Sequence, residues 1–346
     1  MKSSFRLLLA FASSAIILAA CASAPDPTPT SAPPTETPLP PSPLFDLTVH
    51  TNRSDVALER LTGLTWEGGY VWAPFVVNAE DTFYLFYNGF SSFSKGIGLA
   101  TSADGIKFTR IEVNPILEPA EDDERVLFAP ALYLDDNGTW VMYIVNDERR
   151  TGLAGDRILR FTAPVPEGPW TGGEIVYQAP AVDHWTHEMV IRSVLQTDDG
   201  ILLAFDARHD DTISIGLMQS LDGLKFELLS DKPVLTKGDQ GAWDQDAVSA
   251  PVLFATESGY EMLYIGLTRS TSGRLNSYEG FNVWMGYATS PDGLSWTREP
   301  NNPVIQLPEE QGTPYLSGMK LDDTYRIYYV YGAGAYGIAT ASFTIQ

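Results

Sequence analysis

The chain reads as an all-β protein, a five-bladed β-propeller built of four-stranded antiparallel blades, on three observations. A hairpin motif recurs at a fixed internal spacing, a pair of apolar strands recurs ahead of it, and beyond the N-terminal segment almost no stretch carries a helical hydrophobic period. A β-sandwich or separate domains are the competing readings, and the regularity of the repeat weighs against both.

The hairpins read Ser102-Ala103-Asp104-Gly105-Ile106-Lys107-Phe108, Ser220-Leu221-Asp222-Gly223-Leu224-Lys225-Phe226 and Ser290-Pro291-Asp292-Gly293-Leu294-Ser295-Trp296. Each has a Gly six residues before its Asp (Gly98, Gly216, Gly286) and a Pro eleven after it (Pro115, Pro233, Pro303). Asp-Gly specifies a tight turn, because Gly accepts positive φ and Asp bonds back to its own backbone. Asp104, Asp222 and Asp292 are therefore assigned to turns, with no part in chemistry.

Ahead of the hairpins stand pairs of apolar strands. Trp72 to Val77 pairs with Phe83 to Tyr87, Phe128 to Tyr133 with Trp140 to Ile144, and Ser249 to Phe254 with Met262 to Ile265, and each of these first strands carries Ala-Pro. Met189 to Leu195 with Ile201 to Phe205 makes another unit, and Tyr325 to Tyr331 with Gly337 to Thr340 makes the last. The second unit replaces the Asp-Gly hairpin by Ala163-Pro164-Val165-Pro166-Glu167-Gly168-Pro169-Trp170. The fifth stops after its third strand, so Phe45 to Val49 is expected to supply the fourth and close the ring.

Residues 1–20 read as a lipoprotein signal peptide: Lys2 and Arg6 precede an apolar run from Leu7 to Leu18, and the run ends in Leu18-Ala19-Ala20-Cys21. This box resembles the site at which bacterial lipoproteins are cleaved and the Cys lipidated. An ordinary secretory cut after Ala24 is the alternative, but it would leave Pro25 first. Cys21 is the single Cys of the chain, so a monomer forms no disulfide. Residues 21–45 are the lipidated Cys and a Pro/Thr-rich tether, and residues 46–346 are the propeller. The expected location is the cell envelope, lipid-anchored and facing the extracytoplasmic side. A formal charge of −22 argues against nucleic acid as a partner. No Gly-rich loop runs from a strand into a helix, so no organic cofactor is expected, and two His with one acid at irregular spacing (Asp183, His184, His187) make a weak metal signal.

The Ala-Pro strands, the Ser-x-Asp-Gly-x-x-aromatic hairpins followed by Asn-Pro-Val-Ile and the five-unit count resemble the five-bladed propeller superfamily of glycoside hydrolase families 43 and 32 and the mannoside phosphorylases. That resemblance covers about residues 46–346 and implies an axial pocket lined by the inner strands, where two carboxylates act on a glycosidic bond. The family-43 pattern implies acids at three places where this chain has Ala73, Ala131 and Val190.

Other carboxylates approach the same pocket. Glu188 lies four residues before the Pro-equivalent Arg192, Asp246 five before Pro251 and Glu67 seven before Pro74, which makes them the catalytic candidates. Each has a structural alternative: an ion pair with Arg192 for Glu188, a turn cap for Asp246, a loop position beside Gly68-Gly69 for Glu67. Trp72, Trp185 and Trp243 stand at what read as equivalent blade starts and either stack on sugars or pack between blades. His187, Arg192 and Arg208 complete the substrate-binding set, with internal Arg-to-acid pairing as the alternative and Asp206 expected on the same face. The expected partner is an oligosaccharide or polysaccharide. Two functions stay open: a surface-anchored glycosidase, and a carbohydrate-binding lipoprotein whose glycosidase-like site has lost its chemistry.

Overall fold

The computed structural model describes residues 45–48, 56–63, 65–91, 95–119, 127–146, 155–180, 184–269, 281–306, 315–331 and 337–345. The signal segment, Cys21, the tether up to residue 44 and Asp183 lie outside the described residues. Among those described, every regular element is a strand.

In chain order the strands are β1 (Phe45–Thr48) and β2 (Val56–Glu59), then β3 (Tyr70–Ala79), β4 (Thr82–Phe90), β5 (Lys95–Ser102) and β6 (Thr109–Arg110) of blade I. Blade II is β7 (Leu127–Leu134), β8 (Trp140–Asn146), β9 (Arg157–Ala163) and β10 (Thr171–Gln178). Blade III is β11 (Glu188–Thr197), β12 (Gly200–His209), β13 (Thr212–Ser220) and β14 (Glu227–Leu228). Blade IV is β15 (Ala247–Thr256), β16 (Gly259–Arg269), β17 (Phe281–Ser290) and β18 (Thr297–Arg298), with β19 (Ile305–Gln306) also on β17. Blade V is β20 (Leu316–Leu321), β21 (Thr324–Tyr331) and β22 (Gly337–Ile345). The expected closure is present: β1 pairs antiparallel with β22, Phe45 opposite Ile345. β2 also pairs with β22, at Ala339, so two N-terminal strands share the outer edge of the last blade.

The innermost strands β3, β7, β11, β15 and β20 contact one another in that cyclic order, so they ring a common axis. Blade faces pack through apolar layers, such as Ile265, Met285, Tyr325 and Phe343 between blades IV and V.

The repeated residues each have a mechanical role. In the hairpins, Gly105, Gly223 and Gly293 hold φ of 68°, 74° and 73°, which an L side chain rarely adopts. The Ser hydroxyls accept the Gly N–H at 3.0, 3.0 and 2.9 Å, and the Asp carboxylates accept the next N–H at 2.8, 2.9 and 2.8 Å. Those N–H bonds hold Asp104, Asp222 and Asp292 below the usual carboxylate range. Asn114 and Asn302, each just before its Pro, clasp the third strand of the blade: the Leu99 and Tyr287 N–H groups donate to the Asn Oδ1, and the Asn amides donate back to the Leu99 and Tyr287 carbonyls. A side chain thus takes the place of an outer strand along that stretch.

The Ala-Pro pairs are bulges. Ladder register jumps between Trp72 and Phe75, Phe128 and Ala131, and Ser249 and Val252. Ala73, Ala129 and Ala250 take the left-handed region at φ of 47°, 55° and 53°. In blade III the jump falls at Arg192, between Ile191 and Ser193, which matches its reading as the Pro equivalent.

Candidate functional site

The inner strands all start at one end of the ring, and this end gathers the sequence candidates. Glu188 is the first residue of β11 and faces Arg208 across the β11–β12 ladder. Asp246 immediately precedes β15, the next inner strand around the axis. Its Oδ2 accepts the Arg269 N–H at 2.8 Å, and the Arg269 guanidinium stands 4.0 Å from its Oδ1. Thr212, the first residue of β13, donates to the Asp246 carbonyl at 3.3 Å, so blade III braces the start of blade IV. Both carboxyl residues are part-exposed, at the same end of adjacent strands.

Glu67 is held differently. It is fully buried, accepts the Tyr87 hydroxyl at 2.7 Å and pairs with Arg110 on β6, the outermost strand of blade I. Its neighbour Trp66 lies against Tyr87, ring centroids 5.9 Å apart. The same arrangement recurs in blade IV: Trp243 against Tyr264 at 5.6 Å, with Asp244 pairing Arg298 on β18 at 3.3 Å. Burial pushes the Asp244 carboxyl upward and the Arg298 charge opposes it. In blade III, Trp185 stacks on Phe205 at 5.6 Å, followed by Thr186 in place of the acid.

The equivalent tryptophans are therefore Trp66, Trp185 and Trp243, and Trp72 belongs to a different position. They are wedges inside the blade. A Cβ on Gly89 or Gly266 would stand 2.1 Å from the Trp66 or Trp243 ring, and one on Gly98, Gly216 or Gly286 would stand within 2.9 Å of an indole carbon. The repeated Gly six residues before each hairpin Asp thus admits the indole, a role the spacing alone did not reveal.

Trp72 instead lies at the axis, part-exposed, its ring 5.7 Å from that of Tyr315. The Arg192 guanidinium carbon stands 4.2 Å from the Tyr315 ring centre. Arg192 is buried, and its Nε and Nη2 donate to Asp206 Oδ2 at 2.7 and 2.6 Å. The same oxygen accepts the Ser249 hydroxyl at 2.6 Å, and Oδ1 accepts the Ala250 N–H at 2.7 Å. Asp206 thus ties the bulge of blade IV to blade III. Asn88 does the equivalent for blade II, accepting the Ala129 N–H at 2.8 Å and donating to the Leu127 carbonyl at 2.9 Å. Asn88 and Tyr315 were missed by sequence reasoning, because nothing local marks them; Asn88 stands opposite Trp72 where Asp206 stands opposite Val190, a match visible only once the ladders are paired.

His184 and His187 shape the loop before β11. His184 Nδ1 lies 2.8 Å from the Thr186 hydroxyl, and a ring nitrogen of His187, part-exposed, lies 3.1 Å from the Pro180 carbonyl. At the bulge level, Ala73 and Ala131 are buried, and Val190, Phe75 and Tyr315 pack with them in one apolar cluster. The three places where the family-43 pattern implies acids are thus part of an apolar cluster. Phe75 of that cluster also lines a cavity of about 450 Å³ to which each inner strand contributes further along its length, through Asn78, Tyr133, Gln196, Phe254 and Ser317 among others.

No family model and no curated protein sequence matches the chain. Solved structures do match its fold. A glycosyl hydrolase from Bacteroides ovatus superposes with a TM-score of 0.62 at 14% identity, over 86% of this chain and 94% of that one. The β-1,2-mannobiose phosphorylase of Listeria innocua gives 0.61 at 14% identity over 85% and 96%. A thermostable family-43 glycoside hydrolase gives 0.56 at 16% over 81% and 92%. The described residues therefore form a five-bladed β-propeller whose fold is similar to that of these proteins.

Proposed function

We propose that this protein acts on an extracellular glycan at the end of the ring where the inner strands begin, cleaving a glycosidic bond with Glu188 as proton donor and Asp246 as base or nucleophile. One observation carries the reading: Glu188 and Asp246, far apart in sequence, stand part-exposed at the same end of adjacent inner strands. Glycoside cleavage needs two carboxyl groups flanking one bond, and their separation decides between retention and inversion. The Arg269 N–H fixes the orientation of the Asp246 carboxylate, as an attacking or water-activating group requires. Trp72 and Tyr315 supply faces for a sugar ring and Arg208 a donor beside Glu188. Cys21 would carry the lipid that tethers the propeller to the envelope; a Cys21→Ser chain that still labels with palmitate would contradict that part.

The second reading is glycan binding without cleavage. It is favoured by the burial of Ala73 and Ala131 where the family-43 pattern implies acids, and by the commitment of the carboxylate at that level, Asp206, to Arg192, Ser249 and the Ala250 N–H. Sugar release from a polysaccharide panel, with and without inorganic phosphate, separates the two. Turnover by the wild-type chain that falls by about 10²–10⁴ in Glu188→Gln supports cleavage, whereas calorimetric binding with no product supports the second reading.

A further inference from the structure

The first two strands of blade I extend the Trp72 station by a track of aromatic rings, and the outer members of that track have no part in the site described above. Trp72 meets Tyr315 at the axis. Two residues back along β3, Tyr70 projects on the same face, since Val71 between them is fully buried on the other. Opposite Tyr70 in the β3–β4 register stands Phe90, their rings 6.0 Å apart and inclined by 36°. The two rings are 46% and 38% exposed, whereas Trp72 and Tyr315 are part-buried, so exposure rises from the axis to the rim. A two-residue step of extended strand advances ~7 Å, which makes the ring faces successive stations along one line.

Chemistry narrows the occupant. In a chain of formal charge −22, β3 and β4 contain no charged residue at all. A cationic or anionic ligand would find no counter-charge on these strands, and the nearest cations, Arg60 on the Gly69 carbonyl and Lys95 opposite Phe90, are already engaged. A neutral sugar chain fits, with apolar ring faces for the aromatic stations and hydroxyls left to water.

Resting on the glycan reading above, we propose that Tyr70 and Phe90 form an outer subsite that stacks a neutral glycosyl unit several residues from the bond at the axis, so that the protein prefers chains to mono- and disaccharides. Both side chains are exposed, and Tyr70→Ala and Phe90→Ala should fold as the wild type does. The test uses the full chain. A glycan array selects the best-bound neutral series, and its members of one to six residues are then titrated calorimetrically against wild type, each single variant and the double variant. The expected result is an affinity that rises with chain length in the wild type, a loss of about 3- to 10-fold per variant for the longest members and no change for the shortest. Equal loss at all lengths, or none at any length while the wild type binds, overturns the subsite alone. An array on which the wild type binds no glycan overturns the glycan reading and the subsite together.

Discussion

Replacing Asp206 by alanine removes one carboxylate and breaks four contacts at once: two from Arg192, one from the Ser249 hydroxyl and one from the Ala250 N–H. The Arg192 and Asp206 side chains are 4% and 5% exposed, so water does not replace the lost partner. Breaking a buried pair by deleting one member costs about 3–5 kcal/mol, because the remaining charge is stranded. The orphaned Ala250 N–H, in a bulge held at positive φ, adds about 1–3 kcal/mol, and part of that sum is recovered by relaxation and water entry. A net loss of about 3–5 kcal/mol is expected, a large share of the 5–15 kcal/mol that holds a domain together. Urea unfolding followed by tryptophan fluorescence reads it as a fall in midpoint with unchanged slope. The double change Arg192→Met with Asp206→Ala removes the stranded charge and should regain about half of the loss. A single variant within about 1 kcal/mol of wild type, or a double variant no better than Asp206→Ala, would refute the reasoning.

Gly266→Ala places a methyl 2.1 Å from the Trp243 ring, in a blade interior with no slack. It should cost about 1–3 kcal/mol and shift the Trp emission of the native state, whereas an unchanged melting temperature would mean the indole is not wedged. Glu67→Ala strands Arg110, which is 19% exposed, and leaves Tyr87 without its acceptor. A loss of about 2–4 kcal/mol in urea is expected, and a variant as stable as wild type would argue that Glu67 is not a scaffold acid.

The architecture was legible because its signals are local. Asp-Gly turns, Ala-Pro bulges and the apolar strand pairs are each set by a few adjacent residues, and even the closing strand near Phe45 could be placed by counting what blade V lacked. The site was less legible because it is made of long-range contacts. Glu67 and Asp246 look alike as acids ahead of an inner strand, yet one is buried against the outer strand and the other is part-exposed at the start of its inner strand. Trp72 and Trp243 look alike as aromatic residues before a Pro, yet the glycines that define a wedge lie far along the chain from the indole they admit. Tyr315 carries no motif and acquires its place from Trp72 and Arg192, which belong to other blades.

Two places along the inner strands compete for a ligand: their starts, bearing Glu188 and Asp246, and the cavity further along them lined by Asn78 and Gln196. A crystal structure of the Glu188→Gln protein soaked with its best-bound oligosaccharide decides between them. Sugar density within hydrogen-bond reach of residue 188 and Asp246, with a ring face on Trp72, is the predicted result. Density confined to that cavity would contradict the assignment.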